Sequence, residues 1–106
     1  MPPLKFALKD AADALGKASD DFVTLMQDDS TRLLLFAPRG EDTQTPHTQD
    51  EFYVVVSGHG QFRRGDELVD FATGDVLFVP ANVVHRFESF SDDLSTWVIF
   101  FGPRKT

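Results

Sequence analysis

Two residue types able to hold a metal or move a proton stand four positions apart in Pro46-His47-Thr48-Gln49-Asp50-Glu51, an imidazole at His47 and a carboxylate at Glu51. The chain then enters Phe52-Tyr53-Val54-Val55-Val56-Ser57-Gly58, a β-branched and aromatic run ending on glycine. Strand side chains alternate with period two, so His47 and Glu51 are expected to share a face, with Thr45, Gln49 and Tyr53 in the same parity. A row of potential ligands on one face of an apolar strand points to a site inside a barrel. A further imidazole, His85, follows Gly74-Asp75-Val76-Leu77-Phe78-Val79-Pro80-Ala81-Asn82-Val83-Val84. There Gly74 permits a tight turn and Pro80 closes a strand. Asn82 takes the left-handed turn position that glycine would otherwise occupy.

The elements that must position these groups are short. Leu8, Ala11, Ala12 and Leu15 recur at helical spacing, so a helix is expected over residues 8–19, with Gly16 as its stop. Beyond Asp20-Asp21 the period changes. Phe22–Met26 and Arg32–Ala37 are expected to pair as strands around the turn cluster Asp28-Asp29-Ser30, before a polar loop at Pro38–Asp42. The region 45–57 carries one bent strand or a strand pair. Gly58-His59-Gly60 is a turn with His59 at its surface tip. Gln61–Arg64 and Leu68–Phe71 flank a Gly65-Asp66 hairpin signal. Val76–Val79 is expected to be a buried strand, followed by Val83–Glu88, with Arg86 outward, and by Ser95–Phe101. Many short strands without room for crossover helices indicate an antiparallel sandwich or barrel and exclude a parallel α/β sheet. The expected division is an N-terminal arm or helix at 1–21 and a β-barrel at 22–106.

With 106 residues the chain is sized for one domain, and its 42% hydrophobic content supports one packed core. A formal net charge of −7 speaks against nucleic acid and anionic membrane surfaces as partners. The absence of cysteine excludes disulfides, thiolate metal sites and a Cys nucleophile. No signal peptide and no apolar run of about 18 residues is visible, so the expected location is the cytoplasm.

The glycine-framed stretches resemble the cupin family. Its first motif has the form G-x5-H-x-H-x3-4-E-x6-G and its second G-x5-P-x-G-x2-H-x3-N. Here His47 precedes Glu51 with three residues between, and Glu51 precedes Gly58 with six. In the second motif Gly74, Pro80 and His85 keep their spacing, Asn82 replaces the middle glycine and Ser89 the terminal Asn. The resemblance spans about residues 38 to 102. It includes the closing segment Phe87-Glu88-Ser89-Phe90-Ser91-Asp92-Asp93-Leu94, seen in small single-domain bacterial cupins. It implies an all-β fold: an antiparallel jelly-roll β-barrel, or double-stranded β-helix, here with a short N-terminal helix. The first motif's first histidine falls at Thr45, which leaves His47, Glu51 and His85.

Two His and one carboxylate can form a facial set for one divalent ion (Fe, Mn, Ni or Zn) with open positions for substrate or water. Gln49 is a fourth candidate ligand through its amide oxygen. Thr45 and Tyr53 are the candidate substrate-pocket residues, Thr45 also as a group supporting the ligands and Tyr53 as a pocket hydroxyl. The resemblance implies a metal-dependent oxygenase or isomerase acting on a small oxygenated compound. The alternative is a non-catalytic small-molecule binding or sensing barrel. The apolar strands Phe22–Met26 and Arg32–Ala37 lead to the expectation of a homodimer.

Overall fold

A computed structural model describes residues 1–106. It holds one helix, α1 (Leu8–Lys17), followed by eight strands: β1 (Phe22–Gln27), β2 (Arg32–Phe36), β3 (Asp50–Ser57), β4 (His59–Arg64), β5 (Glu67–Ala72), β6 (Val76–Val79), β7 (His85–Phe90) and β8 (Ser95–Phe101). These form a five-stranded sheet in the order β1-β2-β8-β3-β6 and a three-stranded sheet in the order β5-β4-β7. Every pairing is antiparallel. No helix is long and apolar enough to cross a membrane.

Period-two alternation builds the space between the sheets. Along β3, Glu51, Tyr53 and Val55 point inward and are buried, and along β8 so are Thr96, Val98 and Phe100. Phe62, Phe71 and Phe87 of the smaller sheet meet them in one core cluster. Its aromatic rings pack edge-on or tilted, with Tyr53 and Phe87 5.1 Å apart and Phe62 and Phe87 4.8 Å apart. The outer face of the larger sheet is covered by α1, whose Ala11 and Leu15 pack on Leu35, Trp97 and Val56. The β3–β6 pairing runs on into the preceding turn, where Gly74 N–H donates to the Val55 carbonyl and Val55 N–H to the Asp75 carbonyl, at 2.8 and 3.0 Å.

Several turns form as their residues dictate. Asp28 accepts the Ser30 and Thr31 amides on one carboxylate oxygen, closing the β1–β2 hairpin. Gly65 and Asp66 alone connect β4 to β5. Gly58 has φ +99°, and a Cβ there would lie 2.7 Å from Leu94 Cα, so this position needs glycine for both conformation and space.

Five expectations need correction. Gly16 does not end the helix, which runs to Lys17 and is closed by the Ala18 amide bonding the Leu15 carbonyl. Residues 45–49 are not strand, since β3 begins at Asp50. His59 and Gly60 belong to β4, although His59 is exposed as expected. Val83 and Val84 precede β7 rather than starting it. Finally, β6 is not a buried strand: it is an edge of the larger sheet, with Val76 58% exposed and only Val79 buried. An apolar run is equally compatible with either position, because only the strand order decides how many neighbours it has.

Candidate metal centre

Glu51 stands on the inner face of β3, opposite Phe100 of β8 on one side and Val79 of β6 on the other. His85 is the first residue of β7, in the other sheet. His47 lies in the irregular segment before β3, with its ring edge-on to Phe100 at 4.7 Å. The site therefore draws on both sheets and on a loop. One ligand atom from each of the three residues falls within 4.8 Å of the others.

The hydrogen-bonding state of these groups is informative. Nδ1 of His85 is 2.9 Å from the Val83 carbonyl oxygen. A carbonyl can only accept, so Nδ1 carries the proton and Nε2 of the neutral ring keeps its lone pair. That Nε2 is buried and lacks a hydrogen-bond partner, as are Nε2 of His47 and both carboxylate oxygens of Glu51. His85 Nε2 and Glu51 Oε1 approach to 3.1 Å without the alignment of a hydrogen bond. Both side chains are 1% exposed. Buried polar atoms without partners are costly, and a buried bare carboxylate especially so. Three such side chains with ligand atoms within 4.8 Å of one another fit a divalent cation, and their N, N, O character suits a first-row transition ion.

The two imidazoles shift in opposite directions. Burial pushes the His47 imidazole below its ordinary 6.5, partly offset by the Glu51 carboxylate, with His85 and Arg32 lowering it further. Burial also pushes His85 down, but the Glu51 carboxylate and the Val83 carbonyl outweigh it and raise the imidazole above 6.5.

Of the other expected site residues, Gln49 and Tyr53 have their polar groups engaged elsewhere, while Thr45 borders a pocket. Gln49 is buried, but its amide nitrogen donates to the Ser30 carbonyl at 3.0 Å and the Gly102 carbonyl at 2.9 Å. It ties the β1–β2 turn to the end of β8. Thr45 is exposed and lines a pocket of about 260 Å³ beside His47. Tyr53 does not line that pocket. It is fully buried in the core, and its hydroxyl donates to Gln44 Oε1 at 2.9 Å. Burial, with the nearby Glu51 carboxylate, pushes this phenol well above its ordinary 10. Tyr53 does lie on the inner face, as strand parity requires, but inner positions near the middle of β3 meet the opposite sheet rather than a cavity.

Two residues near the site have no counterpart among the expected ones. Asp42 is buried, accepting the Phe87 amide and Gln44 Nε2 on Oδ2, each at 2.8 Å, and the Gln44 amide on Oδ1 at 3.1 Å. It pins the loop carrying His47 to β7. Nothing in Gly40-Glu41-Asp42 marks it out from a solvated loop acid. Arg32 shares its face of β2 with the buried Leu34 and Phe36. A lone charge in register with inward apolar residues is a signal that could have singled it out.

Comparison with known proteins places these features in a family. The domain family described as Cupin domain matches residues 32–101. An uncharacterized protein of Streptomyces coelicolor is 47% identical over 62 residues, 58% of this chain and 59% of that protein. Mannose-6-phosphate isomerase 2 of Arabidopsis thaliana is 41% identical over 56 residues, 52% of this chain but 13% of the enzyme. The chain thus spans less than two thirds of either relative. A crystal structure of a cupin protein with a double-stranded β-helix fold, from Methanocaldococcus jannaschii, superposes with a TM-score of 0.64 at 18% identity. That alignment covers 80% of this chain and 84% of the other.

Proposed function

The chain belongs to the cupin family, and from that premise we propose that it is a metal-dependent cupin isomerase acting on a small hydroxy or carbonyl compound. The observation that carries the reading is that His47, Glu51 and His85 bring ligand atoms within 4.8 Å of one another while His47 Nε2, His85 Nε2 and both Glu51 oxygens lack hydrogen-bond partners. His47, Glu51 and His85 would hold the cation. When bound, it supplies Lewis-acid polarisation of a substrate oxygen.

The protein's own residues do the rest. The Val83 carbonyl holds a proton on His85 Nδ1, which leaves Nε2 as the nitrogen turned to the site for ligation. Phe100 sets the plane of His47 by edge-on packing. Leu34, Phe36, Val98 and Phe100 form the apolar side of the adjoining pocket and keep water from one side of the reacting compound. Tyr53 stays protonated, so it contributes shape and a hydrogen bond to Gln44 rather than a base. Isomerisation rather than oxygenation is favoured by the local likeness to the Arabidopsis isomerase.

The test is metal analysis of the purified protein and of His85→Ala. Near-stoichiometric metal in the first and its loss in the second are expected. Undiminished metal in the variant overturns the assignment.

A second reading, a non-catalytic binding barrel, is favoured by one contact. His85 and Glu51 approach closely enough to close the site as an ion pair with no metal. Thermal shifts with and without EDTA separate the readings, since only the first requires stabilisation by metal alone. A homodimer through the β1–β2 edge is proposed alongside, and a monomeric mass by light scattering would contradict it.

A further inference from the structure

Arg32 borders this site and has no acid to answer it. It begins β2 and faces inward with Leu34 and Phe36. Its Nε is buried without a partner, and Nη2 reaches only Thr24 Oγ1 at a long 3.4 Å. No carboxylate lies within ion-pair distance of it. Two acids share the adjoining pocket, Asp21 and Asp42. Both Asp42 oxygens already accept hydrogen bonds, and neither acid pairs with Arg32.

Register places Arg32 relative to the metal centre. Arg32 is directly opposite Phe100, and Phe100 is directly opposite Glu51. The three residues form one row across β2, β8 and β3. At about 4.8 Å per strand, the Arg32 and Glu51 backbones are about 10 Å apart, with the Phe100 ring between them. The guanidinium carbon lies 5.7 Å from that ring's centre, which holds the side chain across it. His47 packs against the same ring, so Arg32 and His47 both border the 260 Å³ pocket.

We propose that this pocket binds a small monocarboxylate with a hydroxyl or carbonyl beside the carboxyl group. Arg32 takes the carboxylate, and the neighbouring oxygen is directed to the metal centre on the side where His47 borders the pocket. A guanidinium with unmet donors presents a planar fork that matches a carboxylate. The pocket is smaller than a drug-sized cavity, which limits the ligand to a small molecule. One guanidinium suits a monoanion better than a phosphate dianion. The proposal rests on the reading of the triad as a metal centre only for the second contact. The Arg32 contact stands without it.

The experiment uses lactate, its uncharged isostere lactamide, and inorganic phosphate as probes. Binding is followed by ligand-observed NMR, on metal-loaded and EDTA-treated protein. Wild type, Arg32→Met and Arg32→Lys are compared, with metal content measured in each. Lactate is expected to bind wild type at least tenfold more tightly than lactamide or phosphate. Arg32→Met should lose tenfold or more of that affinity while keeping its metal, and Arg32→Lys should recover part of it. Because the carboxylate contact needs no metal, Arg32-dependent lactate binding should persist, weakened, after EDTA. If the protein proves unable to hold metal, that EDTA arm still decides the role of Arg32. Equal lactate binding by wild type and Arg32→Met, equal binding of lactamide, tighter binding of phosphate, or no lactate binding would each overturn the proposal.

Discussion

The Asn82 amide donates to the His47 carbonyl oxygen at 2.6 Å, joining the loop that carries one histidine to the turn that delivers the other. His85 follows three residues after Asn82, so a displacement of either segment is passed to the other. The C-terminal segment reinforces this link. The Lys105 amide donates to the Thr48 carbonyl at 2.6 Å, and Asn82 Nδ2 donates to the Lys105 carbonyl at 3.1 Å. Lys105 Nζ reaches Asp50, whose carboxylate also accepts the Ala81 amide at 2.9 Å.

Truncation after Gly102 removes this strap without touching a ligand. Each hydrogen bond of this kind contributes roughly 0.5–1.5 kcal/mol net, and these lie near solvent. The truncated chain should therefore be less stable by roughly 1–3 kcal/mol in urea unfolding. Its metal affinity should fall severalfold in a chelator competition. Full affinity in the truncated chain would show that the strap does not position the site.

Asn82 adopts φ 68°, the one non-glycine residue in the left-handed region. An ordinary L-residue there costs about 1–2 kcal/mol. Both variants lose the Asn82 Nδ2–Lys105 hydrogen bond, worth roughly 0.5–1.5 kcal/mol, and Asn82→Ala should be destabilised by about 1–2 kcal/mol more than Asn82→Gly. Denaturant midpoints of the two variants check the ordering.

Glu51→Gln should separate metal binding from folding. The metal-free wild type keeps a buried carboxylate with no aligned hydrogen bond, and the amide removes that charge. At alkaline pH, where His85 is neutral and offers Glu51 no counter-charge, the metal-free variant is expected to unfold at or above the temperature of the metal-free wild type. The stabilisation that metal brings, about 2.7 kcal/mol at a hundredfold excess over Kd, should be absent from it. Calorimetry with and without EDTA makes the comparison.

Acid should weaken the strap through Asp50. The Ala81 amide, then Lys105, hold its carboxyl below the ordinary 3.8. A depressed carboxyl pKa stabilises the fold above the unfolded value and loses that contribution as pH falls through the folded one. Asp50→Asn should thus have a lower Tm than wild type at neutral pH, and the gap should close below about pH 4. A gap that does not change with pH would remove Asp50 ionisation from the account.

The barrel and the company of His47, Glu51 and His85 were legible in the chain because their determinants are local. Strand alternation put Glu51, Tyr53 and Val55 on one face, and the glycine, proline and asparagine positions dictated the turns around them. Residues 38–49 have no such period, and there the linear reading failed. His47 and Glu51 do meet, but through a loop docked by Asp42 and Asn82 rather than by alternation along a strand. Gln49, expected beside them, is drawn off by the carbonyls of Ser30 and Gly102, which lie 19 and 53 positions away in the chain. Tyr53 was assigned to the correct face, but whether that face meets a cavity or another sheet depends on what packs opposite. The exposure of β6 and the row from Arg32 through Phe100 to Glu51 depend in the same way on strand order and register. Such contacts between distant segments arise only when the whole sheet assembles, so only the tertiary structure decided them.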